Sequence, residues 1–188
     1  SAMLFTHIIS QEEAFAAIDL NVILLLVGMM IIVHIMSKTG LFQWIAIKLA
    51  QIGSGEPIRI MILLGLASAV ISAFLDNVTT MILMAPVTFL ISDELEIEPV
   101  PFLITMVIAS NIGGAATLVG DPPNILIGSA ADLSFSDFIY NLAPVIAIIL
   151  AAYVITIYFL FRKSFHVSSE LKARIRDFRA NRAIRDKN

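Results

Sequence analysis

Residues 58–91 are almost wholly apolar, and Asp76-Asn77 sits in the middle of them. As one helix the block would run roughly 51 Å, against a hydrocarbon core of about 30 Å. It is too long for a single span. It is poor material for two, because the arm after the polar pair, Val78 to Ile91, has only 14 residues. Two short arms meeting at a polar tip describe a re-entrant helical hairpin. Such backbone is tolerated at membrane depth only where protein surrounds it or a cavity adjoins it.

Composition agrees with a membrane setting. Hydrophobic residues make up 59% of the chain and charged residues 14%, where a soluble domain has about 45–50% and about 25%. Mean hydropathy is +0.92. These values exclude an ordinary soluble globule and a disordered chain. A net charge of −3 argues against a nucleic-acid binder. Without cysteine there is no disulfide, thiolate metal site or thiol nucleophile. His7, His34 and His166 are too scattered for a zinc motif. Walker, G-x-S-x-G and H-E-x-x-H sequences are lacking, so no enzyme is expected.

Along the chain, Ser1-Ala2-Met3 reads as a cloning remnant, and 1–19 as an extracytoplasmic lead-in without a signal peptide. The membrane domain is expected over 20–161. It has a span at 20–37, an interfacial helix at 41–52 carrying Trp44 and Lys48, and the hairpin at 58–91. A discontinuous helix follows over 100–131, broken around Gly113-Gly114 and Pro122-Pro123, and a last span covers 138–161 with Pro144 as a kink. Residues 162–188 form a basic tail or linker.

Nine of the twelve Lys/Arg lie between Arg162 and Lys187, the others being Lys38, Lys48 and Arg59. With that tail in the cytoplasm, a re-entrant hairpin places all twelve Lys/Arg inside, and Glu12, Glu13, Asp19, Asp132 and Asp137 outside. Leu171, Ile175 and Phe178 recur at helical spacing, so the tail is either a helix on anionic lipid or a solvated linker. The expected location is the inner cell membrane.

Polar groups deep in a bilayer are costly and usually functional. One cluster is Asp76, Asn77, Thr79 and Thr80 at the hairpin tip. The other is Ser110, Asn111, Gly113, Gly114 and Thr117, followed by Gly120, Asp121 and Asn124. Carbonyl, amide, hydroxyl and carboxylate oxygens are hard ligands that suit Na⁺, chiefly from Asp76, Asn77, Asn111 and Asp121. Helix N-termini at the same breaks favour an anion instead. Plainer roles compete: Asp76 or Asn77 as a helix cap, Asp121 as a turn residue, the asparagines as buried hydrogen-bond fixtures, and the glycines as packing positions.

SAFLDNVTTMILMAPV and ASNIGGAATLVGDPPNILIGSAADLSFSDF, with GMMIIVHIMSKTGLFQWIAIKLA upstream, resemble the ion transporter superfamily. The likeness is nearest to the arsenite permease and NhaD-type sodium/proton antiporter branch, which includes the melanosomal P protein. It implies two inverted repeats, each with a hairpin and a discontinuous helix. Only the N-terminal repeat is visible over about 20–162, so the second repeat is an expected partner, with a homodimer as another way to complete the site. By this resemblance Asp76, Asn77 and Thr79 stand where the dicarboxylate branch has Ser-Asn-Thr. Gly120-Asp121-Pro122-Pro123-Asn124 replaces its Gly-Thr-Pro-Pro-Asn. Both departures add a carboxylate, which favours cation or proton coupling.

The expectation is therefore an all-α polytopic membrane protein, half of a sodium/proton antiporter. Na⁺ or H⁺ serves as coupling ion and no other cofactor is needed. Arsenite or antimonite efflux and sodium-coupled carboxylate transport are the alternatives on the same scaffold. A membrane anchor and an aspartyl intramembrane hydrolase using Asp76 and Asp121 are rivals of other classes.

Overall fold

A computed structural model of the chain describes residues 10–16, 18, 20–165 and 167–177. The lead-in 1–9, Ala17, Asp19, His166 and the tail from Phe178 onward lie outside the described residues. Among the described residues there are nine helices and no strand. They are α1 (Gln11–Ala16), α2 (Leu20–Lys38), α3 (Leu41–Ile52), α4 (Pro57–Ser72), α5 (Asn77–Glu94), α6 (Val100–Gly114), α7 (Pro122–Ala131), α8 (Phe135–Phe161) and α9 (Ser169–Asp177).

Local chemistry explains most of the boundaries. Gly40, at φ 75°, turns the chain between α2 and α3, which bend by 61°. Pro57 opens α4 at a position where a missing N–H costs nothing. Asp76 caps α5 by accepting the Thr79 N–H at 2.8 Å. Pro122-Pro123 opens α7 in the same way as Pro57 opens α4. The proline pair therefore starts the second arm of the discontinuous helix instead of making its break, which runs over 115–121. A reciprocal Ser134–Asp137 capping box starts α8. The arm after the hairpin tip is longer than its apolar run suggests, because α5 continues through Ser92 and Asp93 to Glu94.

Side-chain contacts fix the relative directions. Gly65 of α4 faces Thr105 and Ala109 of α6, and Ala69 faces Gly113, so α4 and α6 run parallel. Asn77 of α5 meets Asn111, and Thr88 meets Met106, so α5 runs antiparallel to α6. The helices α4 and α5 thus form a hairpin whose two free ends lie together. The last helix, α8, also runs antiparallel to α6. Tyr153 donates to the Thr105 carbonyl at 3.1 Å, and Phe165, just beyond α8, meets Phe102 near the start of α6. The hairpin base, the start of α6 and the end of α8 therefore share one end of the molecule.

The core lies between α3, α4, α5 and α6, around Ile60, Met61, Leu64, Met84, Phe102 and Met106. The α3 helix, expected at an interface, turns Phe42, Ala46, Ile47 and Ala50 inward, with Trp44 and Lys48 half-buried. Phe135–Phe161 is long and apolar enough to cross a membrane, and only 6% of its most apolar window is covered by the rest of the protein. The α2 helix is similarly bare, with Leu24, Met30, Ile32 and Ile35 exposed. His34 is exposed on the same helix.

Candidate functional site

Two helices that run parallel also stop side by side. The α4 helix ends at Ser72 and α6 at Gly114, and the segments 73–76 and 115–121 lie against each other. The reason is close backbone approach. A Cβ on Gly113 would collide with the Ala69 carbonyl, and one on Gly120 would lie 2.8 Å from the Ser72 carbonyl oxygen. Gly114 in turn packs on the Gly120 backbone and the Ser72 hydroxyl. Gly113 and Gly114, singled out from sequence, thus hold the two breaks in contact.

Side chains stitch the breaks together. The Thr117 hydroxyl donates to the Ala73 carbonyl, tying the second break to the first, and accepts from the Gly120 N–H at 3.1 Å. Asn124 donates through Nδ2 to the carbonyls of Thr117 at 2.9 Å and Gly114 at 3.3 Å. These oxygens are left without helical partners where α6 stops.

At the hairpin tip, Asn77 Nδ2 donates to Asn111 Oδ1 at 2.5 Å, and Asn111 Nδ2 donates to the Val107 carbonyl at 2.9 Å. The two asparagines, 34 positions apart, form a direct bridge between hairpin and discontinuous helix. Asp76 uses one oxygen on the Thr79 N–H and the other on the Thr79 hydroxyl. Thr80 is fully buried and donates to the Asp76 carbonyl at 3.0 Å, a bond within its own helix. Thr79 and Thr80 therefore shape the cap.

Asp121 differs. It stands at the N-cap position of α7, yet its side chain makes no capping bond. It is half-buried and close enough to Asp76 for the two charges to repel. Its carbonyl accepts the Asn124 N–H at 3.0 Å in the turn that opens α7. Asp76, Asn77, Asn111, Thr117, Asp121 and Asn124 all belong to this one polar seam between the breaks.

Ser72 was not among the residues singled out. Its hydroxyl is fully buried, has no hydrogen-bond partner, and faces Gly114 in the seam. Its signal in the sequence was a polar residue in the last turn of an apolar arm, four positions before Asp76. Ser68, one turn earlier, is equally buried and unpartnered.

Electrostatically the seam is two-sided. The C-termini of α4 and α6 bring carbonyl oxygens and partial negative charge. The N-termini of α5 and α7 bring N–H groups and partial positive charge. Among the described residues no three His, Cys, Asp or Glu cluster as a metal site would require. A cation here would rest on two carboxylates with amide, hydroxyl and backbone oxygens.

A family described as Citrate transporter matches residues 1–188. The chain is 48% identical over 184 residues to the 46 kDa membrane protein of Mycobacterium leprae, covering 96% of this chain and 43% of that protein. It is 47% identical over 191 residues to an uncharacterized transporter of Mycobacterium tuberculosis, covering 100% of this chain and 44% of that one. With the human P protein it shares 49% identity over 116 residues, which is 62% of this chain and 14% of the P protein. The chain thus spans less than half the length of the mycobacterial relatives. No solved structure matches it. A membrane transporter is the class to which these matches point, and the chain belongs to the citrate transporter family.

Proposed function

We propose that the protein is part of a secondary transporter that exchanges sodium for protons across the inner cell membrane. The α4–α5 hairpin is re-entrant in this reading, α2 and α8 are spans, and α6–α7 is one discontinuous span. The observation that carries the proposal is the meeting of two helix breaks at one level. Asn77 and Asn111 bond across it, with Asp76 at the start of α5 and Asp121 at the start of α7. Backbone breaks of this kind fit a bilayer only when they line a site.

Two carboxylates that repel each other gain from any cation that settles between them. Na⁺ and H⁺ would then compete for one berth, the condition for exchange. The bare helices α2 and α8 suit lipid and a second repeat. Arg59, Lys163 and Lys172 share the end of the molecule that holds the hairpin base, which fits a cytoplasmic placement of that end.

The experiment is Asp76→Asn in the full-length protein, reconstituted in proteoliposomes. Asparagine caps a helix about as well as aspartate, so the fold should persist while Na⁺-driven proton movement falls to background. Wild-type exchange by the variant would defeat the assignment.

A second reading, sodium-coupled carboxylate transport, draws on the family description and on the N-termini of α5 and α7, which offer N–H groups to an anion. It predicts Na⁺-dependent citrate uptake in the same vesicles. Arsenite efflux, the other alternative, predicts that expression rescues an arsenite-sensitive host while Na⁺ flux stays at background.

A further inference from the structure

The segment after α8 does more than leave the membrane domain. Phe165 turns back to lie against Phe102 at 5.5 Å and Phe161 at 6.1 Å between ring centres. Ser168 then accepts from the Leu171 N–H at 3.3 Å and starts α9. The apolar face of α9 is directed into the protein: Ile175 is 2% exposed and shares a small cavity with Ile47, Ala50 and Ile91. Those residues belong to the end of α3 and the end of α5. Lys172 meets Glu56, the residue before α4, with Nζ 2.6 Å from Oε1. Gly55, at φ 73°, presses its bare Cα on the Lys172 backbone, where a Cβ would fall 2.6 Å from the Lys172 Cα.

We propose that Phe165 and α9 with its lead-in, 167–175, form a strap that fastens the base of the α4–α5 hairpin to the end of α8. Ile175 is its anchor, the Lys172–Glu56 pair its clasp, and the Gly55 turn its seat. It touches both free ends of the hairpin, one through Glu56 and the other through Ile91. The base is thereby held as one body with the last long helix, and movement of the hairpin is confined to the tip end, where 73–76 faces 115–121. The helical spacing of Leu171 and Ile175 suggests a helix on lipid or a solvated linker; the strap assigns Ile175 to the chain's own core instead. The inference is independent of which ion or solute is carried.

These 188 residues contain no cysteine, so introduced thiols report cleanly once any cysteine elsewhere in the full-length protein is replaced by serine. In the full-length protein in nanodiscs, Ile175→Cys should react with a maleimide at least about tenfold more slowly than Ala173→Cys, which lies on the exposed side of α9. The pair Ala50→Cys with Ile175→Cys should cross-link with a short bifunctional thiol reagent in most molecules. Charge reversal supplies a readout that leaves the anchor intact. Glu56→Lys alone and Lys172→Glu alone should raise deuterium uptake over 53–57 and 168–172, and the double reversal should restore it. Equal labelling of the two single cysteines, absence of the cross-link, or no rescue by the double reversal would overturn the strap.

Discussion

Gly113 and Gly65 lie in the same α4–α6 interface, yet alanine should act oppositely at the two positions. At Gly113 the new Cβ would sit inside contact distance of the Ala69 carbonyl oxygen and 2.5 Å from its carbonyl carbon and Cα. The obstacle is backbone, so no rotamer change relieves it. The helices must separate by about an ångström at the crossing, and overpacking of this kind costs about 1–3 kcal/mol. At Gly65 the new Cβ would lie 3.4 Å from Thr105 Cγ2 and 3.7 Å from Ala109 Cβ, ordinary contact that one methyl can accommodate. There the gain is the conformational freedom that glycine loses in a helix interior, about 0.5–1 kcal/mol. For a chain of this size 1 kcal/mol corresponds to about 2–4 °C in Tm. Gly113→Ala should therefore lower Tm by about 2–12 °C, and Gly65→Ala should raise it by about 1–4 °C. Thermal unfolding of the detergent-solubilised protein, followed by Trp44 fluorescence and by size-exclusion monodispersity, reads both. Equal shifts of the same sign would show that α4 and α6 do not touch as described.

Other expectations concern the seam itself. Asn124→Leu leaves the Gly114 and Thr117 carbonyls without their amide donor and should cost about 1–3 kcal/mol, measured as a drop in Tm with faster amide exchange across 114–120. Replacing Asn77 or Asn111 singly by Ala should cost about 0.5–1.5 kcal/mol; the double variant should cost less than the sum of the two, because one bond joins them, and a double-mutant cycle on Tm checks this. Ser72→Ala removes a hydroxyl that has no partner within the protein, so Tm should hold or rise slightly. If that hydroxyl serves the proposed cation, the apparent Na⁺ affinity in exchange assays should fall severalfold.

Much of the architecture was legible in advance, for identifiable reasons. Asp76-Asn77 is a polar pair in the middle of an apolar block, and only a turn or a site places such residues there. Gly113-Gly114 and Pro122-Pro123 mark an interruption because neither pair supports a continuous apolar helix. What stayed hidden depended on tertiary contact. Nothing in the local pattern tells that Gly113 meets Ala69, since that contact joins segments 44 positions apart. Pro122-Pro123, read from sequence as part of the break, instead opens the first turn of α7, and the break itself lies over 115–121. Ser72 resembles any serine in a membrane helix until its neighbours are known. The docking of Ile175 on the core is missed for a related reason: the spacing reads as a helix on lipid or a solvated linker, and a local pattern does not name a protein partner.

The bare backbone contact between α4 and α6 has a consequence for how such a protein can diversify. Register between the two interruptions is set by main-chain atoms at Gly113, Gly120 and Ala69, with no bulky group interposed. The Asp76 carboxylate bonds only to Thr79 of its own helix, so a hydroxyl in its place would leave that main-chain contact, the Thr117–Ala73 tie and the Asn77–Asn111 bond where they are. The frame is thus separable from part of its lining.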